Sequence, residues 1–263
     1  MGYEFTLDDV AFLRGRYGEK ALDVVSGMAL TPSSMIADVE AARRRYAPHD
    51  AALIETVRDR RRAARKLRDA DQWLLTDDAL QQATPSVVAA HRAAEIAQRF
   101  PGAVIHDITC SIGGEVVELA SQDGIAGVIG SDLDHVRLSM AQHNRRVLGQ
   151  LPTPTALLVA DALTPTSTAD VVIVLADGHG DLLGDAVAQP GSLPAVLPVL
   201  RRARRSMELV VTRASDQELR AARSVPDSAG GLLTRWFDAP PVADKAVGED
   251  ALPPLHARFA RRL

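Results

Sequence analysis

A chain of 263 residues that is 46% hydrophobic and 24% charged can bury a sizeable core, in one large domain or in one domain with a small addition. Its net charge of -4 excludes a strongly basic protein, and aromatics at 4% leave any nucleic-acid contact to arginine rather than to stacking. The single cysteine, Cys110, excludes an intrachain disulfide and a cysteine-rich zinc site. No apolar run is long enough to span a bilayer, and acids stand where a signal peptide needs a basic start, so a cytoplasmic protein without a membrane partner is expected.

Leu7, Val10, Ala11 and Leu13 predict a short helix over 6–19, with Thr6 and Asp9 as a variant capping box. Thr31-Pro32 predicts the start of a second helix. A third is predicted from about Asp50, with Leu53, Ile54, Val57, Ala64 and Leu67 on one side and Arg58, Arg60, Arg61, Arg62, Arg65, Lys66 and Arg68 crowding the rest. No strand pattern interrupts this region, so residues 1–72 are read as a helical N-terminal domain and 73–263 as a second, catalytic one. The basic stretch has two readings. It is either a solvated face offset by Glu55, Asp59, Asp69 and Asp71, or a phosphate-contacting surface for RNA. Thr76 or Asp77 can cap a short helix, and Thr84-Pro85 the next, whose Val87, Val88, Ala94 and Ile96 are expected to pack inward.

Residues 104–115 form the centre of the sequence: β-branched Val104 and Ile105 run to Asp107, small residues follow, and a helical pattern starts after Gly113 and Gly114. A strand feeding a helix through such a turn is a ligand cradle, because small residues admit a bound molecule and the first helical amides are unpaired donors. A dinucleotide fold wants Gly-x-Gly-x-x-Gly, whereas here the glycines are adjacent and an acid precedes them. Asp107 could hold the ammonium of S-adenosylmethionine, directly or through water, and would repel a pyrophosphate. A nicotinamide-dependent oxidoreductase is therefore disfavoured.

Further along, 127–132 reads as a second strand ending in Asp132, placed to accept two ribose hydroxyls, with Asp134 the less favoured candidate. A helix over 136–148 and a third strand over 156–161 follow; Asp161 could take an adenine amino group or cap a helix. Residues 170–177 read as a buried strand, 193–207 as a helix, 209–212 as a fifth strand, and 232–237 and 257–263 as the last strands. Such alternation predicts an α/β protein with a mainly parallel sheet covered on both faces and ligands beyond the carboxyl ends of its strands. Asp107, Asp132, Asp161 and Asp177 all fall at such ends, a recurrence harder to obtain by chance than any one of them.

The stretches Leu75–Thr84, Asp107–Gly114, Ser131–Asp134 and Ala160–Ala162 resemble bacterial class I methyltransferases with a THUMP-like C-terminal domain, relatives of trimethylguanosine synthase-type RNA methyltransferases. The resemblance covers roughly 60–210, and its first stretch is the most specific. It implies a Rossmann-like seven-stranded sheet, bound S-adenosylmethionine and an RNA substrate. It further implies that Asp107 and Gly113 border the methionine moiety, Asp132 the ribose and Asp161 the adenine, with Thr76, Gln82, Thr109, Cys110, Ser111, Leu133 and Ala162 completing the cofactor site.

Two departures accompany the resemblance. Ser111 stands where most relatives have glycine, which demands a different backbone angle or crowds the cofactor. After Asp177 the relatives continue with a proline platform for the target base, whereas this chain continues Gly178-His179-Gly180-Asp181. The chain ends soon after the last expected strand, so the THUMP-like domain is expected to be missing and a protein partner could supply substrate recognition. Methyl transfer from a sulfonium asks for an in-line nucleophile and a proton acceptor, and no metal. Asp177 is the candidate for orienting the nucleophile and His179 for the base, against the plainer reading of His179 as a loop residue. His106 is expected to be structural. The competing hypothesis is a catalytically degraded relative acting as a binding or regulatory partner.

Overall fold

The computed structural model describes residues 2–162, 164, 166–177 and three further strands at 206–212, 232–237 and 256–261. The N-terminal region is helical: α1 (Leu7–Leu13), α2 (Arg16–Ser26), α3 (Met35–Tyr46) and α4 (Asp50–Ala63), followed by a 3-10 turn at Ala70–Gln72. The Thr6–Asp9 capping box forms in both directions, Asp9 N–H to Thr6 Oγ1 at 3.1 Å and Thr6 N–H to Asp9 Oδ2 at 3.0 Å.

Two helix boundaries differ from the sequence expectation. The helix predicted over 6–19 is two helices, broken at Arg14-Gly15, because the second crosses close over the end of the first. A Cβ on Gly18 would lie 2.0 Å from the Phe12 carbonyl oxygen, a contact only glycine permits. The helix expected from Thr31-Pro32 starts later, at Met35, since Thr31, Ser33 and Ser34 bond one another in a preceding turn.

Next come α5 (Asp77–Gln82) and α6 (Ser86–Arg99). Thr76 caps α5 by accepting the Ala79 N–H at 3.1 Å, but Thr84 does not cap α6, whose N-cap residue is Pro85 with no side-chain bond. The inward face of α6 is Ala89, Arg92, Ala93 and Ile96, an i, i+3, i+4, i+7 set. Val87 and Ala94, expected inside, are exposed, Val87 by 73%.

The sheet contains β1 (Val104–Asp107), β2 (Gly127–Asp132), β3 (Thr155–Val159), β4 (Val171–Asp177), β5 (Ser206–Thr212), β6 (Leu232–Phe237) and β7 (His256–Arg261), in the order β3-β2-β1-β4-β5-β7-β6. Strands from β3 through β5 are mutually parallel, and β7 runs antiparallel to both neighbours. The connections β1–β2 and β2–β3 carry α7 (Gly114–Ala120) and α8 (His135–Val147). The chain thus steps outward from β1 to β3 and returns as β4 on the other side of β1. In open α/β sheets such a reversal, here between β1 and β4, marks where ligands bind, outside the carboxyl ends of the strands.

One apolar core lies against the sheet, built from Ile105, Val128, Val171 and Ile173 with Ile96 of α6 and Leu119 of α7. A second joins the N-terminal helices, through Leu13, Leu53 and Trp73, to Ile112, Val117 and Met140. Every residue of α7 from Glu115 to Ala120 is therefore buried, between the sheet on one side and the helical region on the other. Gly130 in β2 makes this packing possible, since a Cβ there would sit 2.8 Å from Val116 Cγ2 and 2.9 Å from Leu157 Cδ2. Among the described residues no helix is long and apolar enough to cross a membrane.

Candidate functional site

The turn after β1 is tied down by its backbone. Ile108 N–H donates to the Ile173 carbonyl of β4 (3.1 Å), Cys110 N–H to the Ser131 carbonyl of β2 (3.0 Å), and Gly113 N–H to the Cys110 carbonyl (2.8 Å). Gly113 has φ +86°, and a Cβ there would press on Ala141 Cβ at 3.1 Å, so the left-handed turn and the approach of α8 both select glycine. Ser111 also has positive φ, +47°, a region that costs a non-glycine residue about 1–2 kcal/mol. The strain is offset by an anchor: Ser111 N–H donates to Asp132 Oδ2 at 2.9 Å. Its own Oγ is buried without a partner.

Asp107 and Asp132 are neighbours on this turn but stand at different depths. Register sets Asp107 opposite Gly130, two positions short of Asp132, a step of about 7 Å along the strand. Asp107 is fully buried; its Oδ1 accepts the Thr109 N–H (3.0 Å) and hydroxyl (3.3 Å), while its Oδ2 has no partner. Burial first, and then the charges of Glu115 and Asp132, push its pKa up to about 7 against the opposing bonds from Thr109. Asp132 is partly open, its two oxygens holding the Ser111 and Asp134 amides (2.9 Å each) with lone pairs remaining.

The nearby polar groups are accounted for. Arg92 of α6 pairs with Glu115 Oε1, both almost wholly buried, and Glu115 Oε2 is left without a partner. Burial, reinforced by Asp107 and Asp132, drives the Cys110 thiol well above its usual range, so it stays protonated and is no nucleophile. His106 is structural as expected: its ring nitrogens meet Ser167 Oγ (2.7 Å) and Ser131 Oγ (2.9 Å), and burial lowers its pKa to about 4. Asp134, the less favoured alternative to Asp132, caps α8 by accepting the Val136 and Arg137 amides. Among the described residues no group of three or more histidines, cysteines or acids could hold a metal ion.

The remaining sequence candidates fall on several elements. Asp161 lies two residues past β3 rather than on it, on a chain joined to β2 by the Ala160 N–H to Asp132 carbonyl bond of 3.1 Å. Leu133 is 46% exposed beside Asp132, and Ala162 follows Asp161 half-buried. Thr76 is spent as a helix cap, and Gln82 is exposed at the end of α5. Asp177 ends β4, four positions beyond the residue that pairs with Asp107, about 13 Å further along the strand. His179 and most of the helix expected over 193–207 lie outside the described residues, while Ser206 and Met207 belong to β5.

Most of the basic stretch of α4 and the turn after it is spoken for internally, Arg65 being exposed. Arg60 donates to the Trp73 and Gln72 carbonyls, Arg61 to the Ser26, Met28 and Ala29 carbonyls past the end of α2, and Lys66 to the Leu80 and Gln81 carbonyls of α5. Arg62 bridges Asp59 and Asp77, and Arg68 pairs with Asp69 and Glu118. The sequence reading missed Arg92, Glu115 and Asn144, three buried polar residues behind the turn. A polar side chain within an apolar helical face was the available signal for Arg92 and Asn144.

Residues 6–63 match a family described as a domain of unknown function, DUF8688. Over 139 residues, 51% of this chain, the sequence is 45% identical to an uncharacterized S-adenosylmethionine-dependent methyltransferase of Mycobacterium tuberculosis, found alike in strains H37Rv and CDC 1551. The match spans 36% of that relative's length. Among solved structures, a provisionally assigned methyltransferase of Porphyromonas gingivalis W83 superposes with TM-score 0.64 at 13% identity, covering 99% of this chain and 59% of that one. The methyltransferase domain of bacterial CtHen1-C does so with TM-score 0.51 at 12% identity, over 68% of this chain and 98% of that one. These likenesses show the fold.

Proposed function

We propose that the rim formed by the ends of β1, β2 and β3 binds S-adenosylmethionine and that the chain is a methyltransferase, with RNA as the acceptor. The observation that carries this reading is the pairing of an unsatisfied, buried Asp107 oxygen with a backbone-anchored, partly open Asp132 across one left-handed turn. An unpartnered carboxylate oxygen in a dry site is costly unless a cation comes to it, and the ammonium of a methionine moiety is such a cation. The name carried by the mycobacterial relatives supports the same reading.

In this proposal Asp107 and Gly113 hold the methionine end, Asp132 the ribose hydroxyls and Asp161 the adenine, with Thr76, Gln82, Thr109, Cys110, Ser111, Leu133 and Ala162 around them. When bound, the cofactor supplies an electrophilic methyl group on a sulfonium. Asp177 at the end of β4 orients the acceptor, and His179 takes its proton. Residues 1–72 act as an accessory unit. The RNA acceptor and the kinship with the THUMP-like methyltransferases rest on the sequence resemblance, because the cations of α4 are largely committed to internal carbonyls.

Melting curves with S-adenosylmethionine, its demethylated product and NAD test the binding. A ligand at a hundred times its dissociation constant adds about 2.7 kcal/mol, a shift of a few degrees for a chain of this size. A shift with the first two alone is expected, and none with either would overturn the proposal. Labelled methyl transfer into total RNA against total protein then decides the acceptor, and Asp177→Ala should abolish it.

A further inference from the structure

We propose that Asn144 of α8 is a positioning residue that sets the distance between Thr76 and the turn after β1. Asn144 has this role only if the rim holds S-adenosylmethionine, as proposed above. Its side chain is wholly buried and makes three bonds: Oδ1 accepts the Leu74 N–H (2.7 Å), and Nδ2 donates to the Leu74 carbonyl (2.8 Å) and to the Ile112 carbonyl (2.9 Å). One donor and two acceptors around a single amide fix its orientation, since the flipped amide would set two carbonyls against its oxygen.

The two segments share the core of the N-terminal helices, but apolar packing alone sets no hydrogen-bond register between them. Leu74 belongs to an extended strap between the 3-10 turn and α5, outside any helix or strand. The carbonyls of that strap are captured one after another by side chains: Gln72 by Arg60 and His143, Trp73 by Arg60, and Leu74 by Asn144. Ile112 belongs to the turn itself, one residue before Gly113, and its side chain lies in the core of the N-terminal helices. Among the described residues Asn144 is the one whose side chain bonds both, so a slip of the strap moves Thr76 relative to Gly113 and Asp107. A buried amide with all three bonds made is a stiff joint, and losing it leaves three backbone groups without partners.

Titration calorimetry with S-adenosylmethionine on wild type, Asn144→Ala and Thr153→Val tests this. Thr153 is equally buried and donates to the Gln122 carbonyl (2.8 Å), but it precedes β3 at the opposite end of the strands, so its variant controls for plain loss of stability. Asn144→Ala is expected to raise Kd about tenfold, the equivalent of one positioning bond. Thr153→Val should change it by less than about twofold. Thr76→Ala added to Asn144→Ala should cost less than it does alone. If Asn144→Ala does not fold, Asn144→Ser is used with the same expectation. Unchanged affinity in the Asn144 variant, an equal loss in Thr153→Val, or additive losses with Thr76→Ala would overturn the role of Asn144 while the cofactor reading stands. No binding by wild type would overturn both.

Discussion

The cations of α4 and the carboxylates behind the β1 turn have opposite fates. Along α4 the cations reach the surface yet are consumed, donating to carbonyls past the end of α2, to the strap and to the end of α5. Behind the turn the carboxylates are buried yet incompletely used, with one oxygen each of Asp107 and Glu115 lacking a partner. Exposure is therefore a poor guide to availability in this chain. Asp59 Oδ2 of α4 is also buried without a partner, but that of Asp107 stands two strand positions from the partly open Asp132, where a cationic, hydroxyl-bearing ligand would meet both.

The largest effect that sharpens this contrast is expected at Arg92. Arg92→Met leaves Glu115 buried and unpaired, and should lower unfolding free energy by about 3–5 kcal/mol, read as a drop in urea midpoint.

Asp107→Asn should lower affinity for S-adenosylmethionine by about a hundredfold, roughly the 2–3 kcal/mol of a charged hydrogen bond, and yet stabilise the ligand-free protein. The sign follows from linkage. Burial raises the Asp107 pKa to about 7, so between its unfolded value and 7 the folded state binds more protons, and stability falls as pH rises through that window. His106 and His143, both lowered to about 4 by burial, act oppositely: stability falls as pH drops from their unfolded value toward 4. In wild type Asp107 and Asp59, which burial also raises to about 7, oppose the two histidines, whereas in Asp107→Asn the histidines outnumber the remaining acid and stability should rise more steeply with pH between about 5 and 6.5. Urea midpoints at those two pH values decide it, and a slope unchanged by the substitution would refute the burial of an uncompensated Asp107.

Gly130→Ala forces a methyl group against Val116 and Leu157 and should cost about 1–3 kcal/mol, seen as a lower melting temperature. The smallest effect is expected at Arg61. Arg61→Ala uncaps the segment after α2 and should cost about 1 kcal/mol of stability, while the salt dependence of any RNA binding stays as in wild type. A shallower salt slope in that variant would return α4 to the role of a phosphate contact.

The elements that carry the rim were legible because their signals are local. Strands at 104–107 and 127–132 announce themselves by β-branched runs ending in acid, the helix after Gly113 by its apolar spacing, and the Thr6–Asp9 box by two residues three apart. What stayed hidden depends on partners distant in sequence. The break between α1 and α2 is set by Gly18 meeting Phe12 in space, and the inward face of α6 is decided by Arg92 reaching Glu115 rather than by Val87 and Val88. Asn144 bonds residues 70 and 32 positions away, which no periodicity encodes. At the site, the acids were readable one by one, but the unsatisfied oxygen of Asp107 and the anchoring of Ser111 to Asp132 appear only once the strands are in register.

The most direct measurement is a calorimetric titration of S-adenosylmethionine into wild type, Asp107→Asn and Asp132→Ala at matched pH. Saturable binding at one site per chain in wild type, lost or severely weakened in both variants, is predicted. Heat that does not saturate in wild type, or affinity that survives both substitutions, would contradict a cofactor held by the acids of the sheet rim.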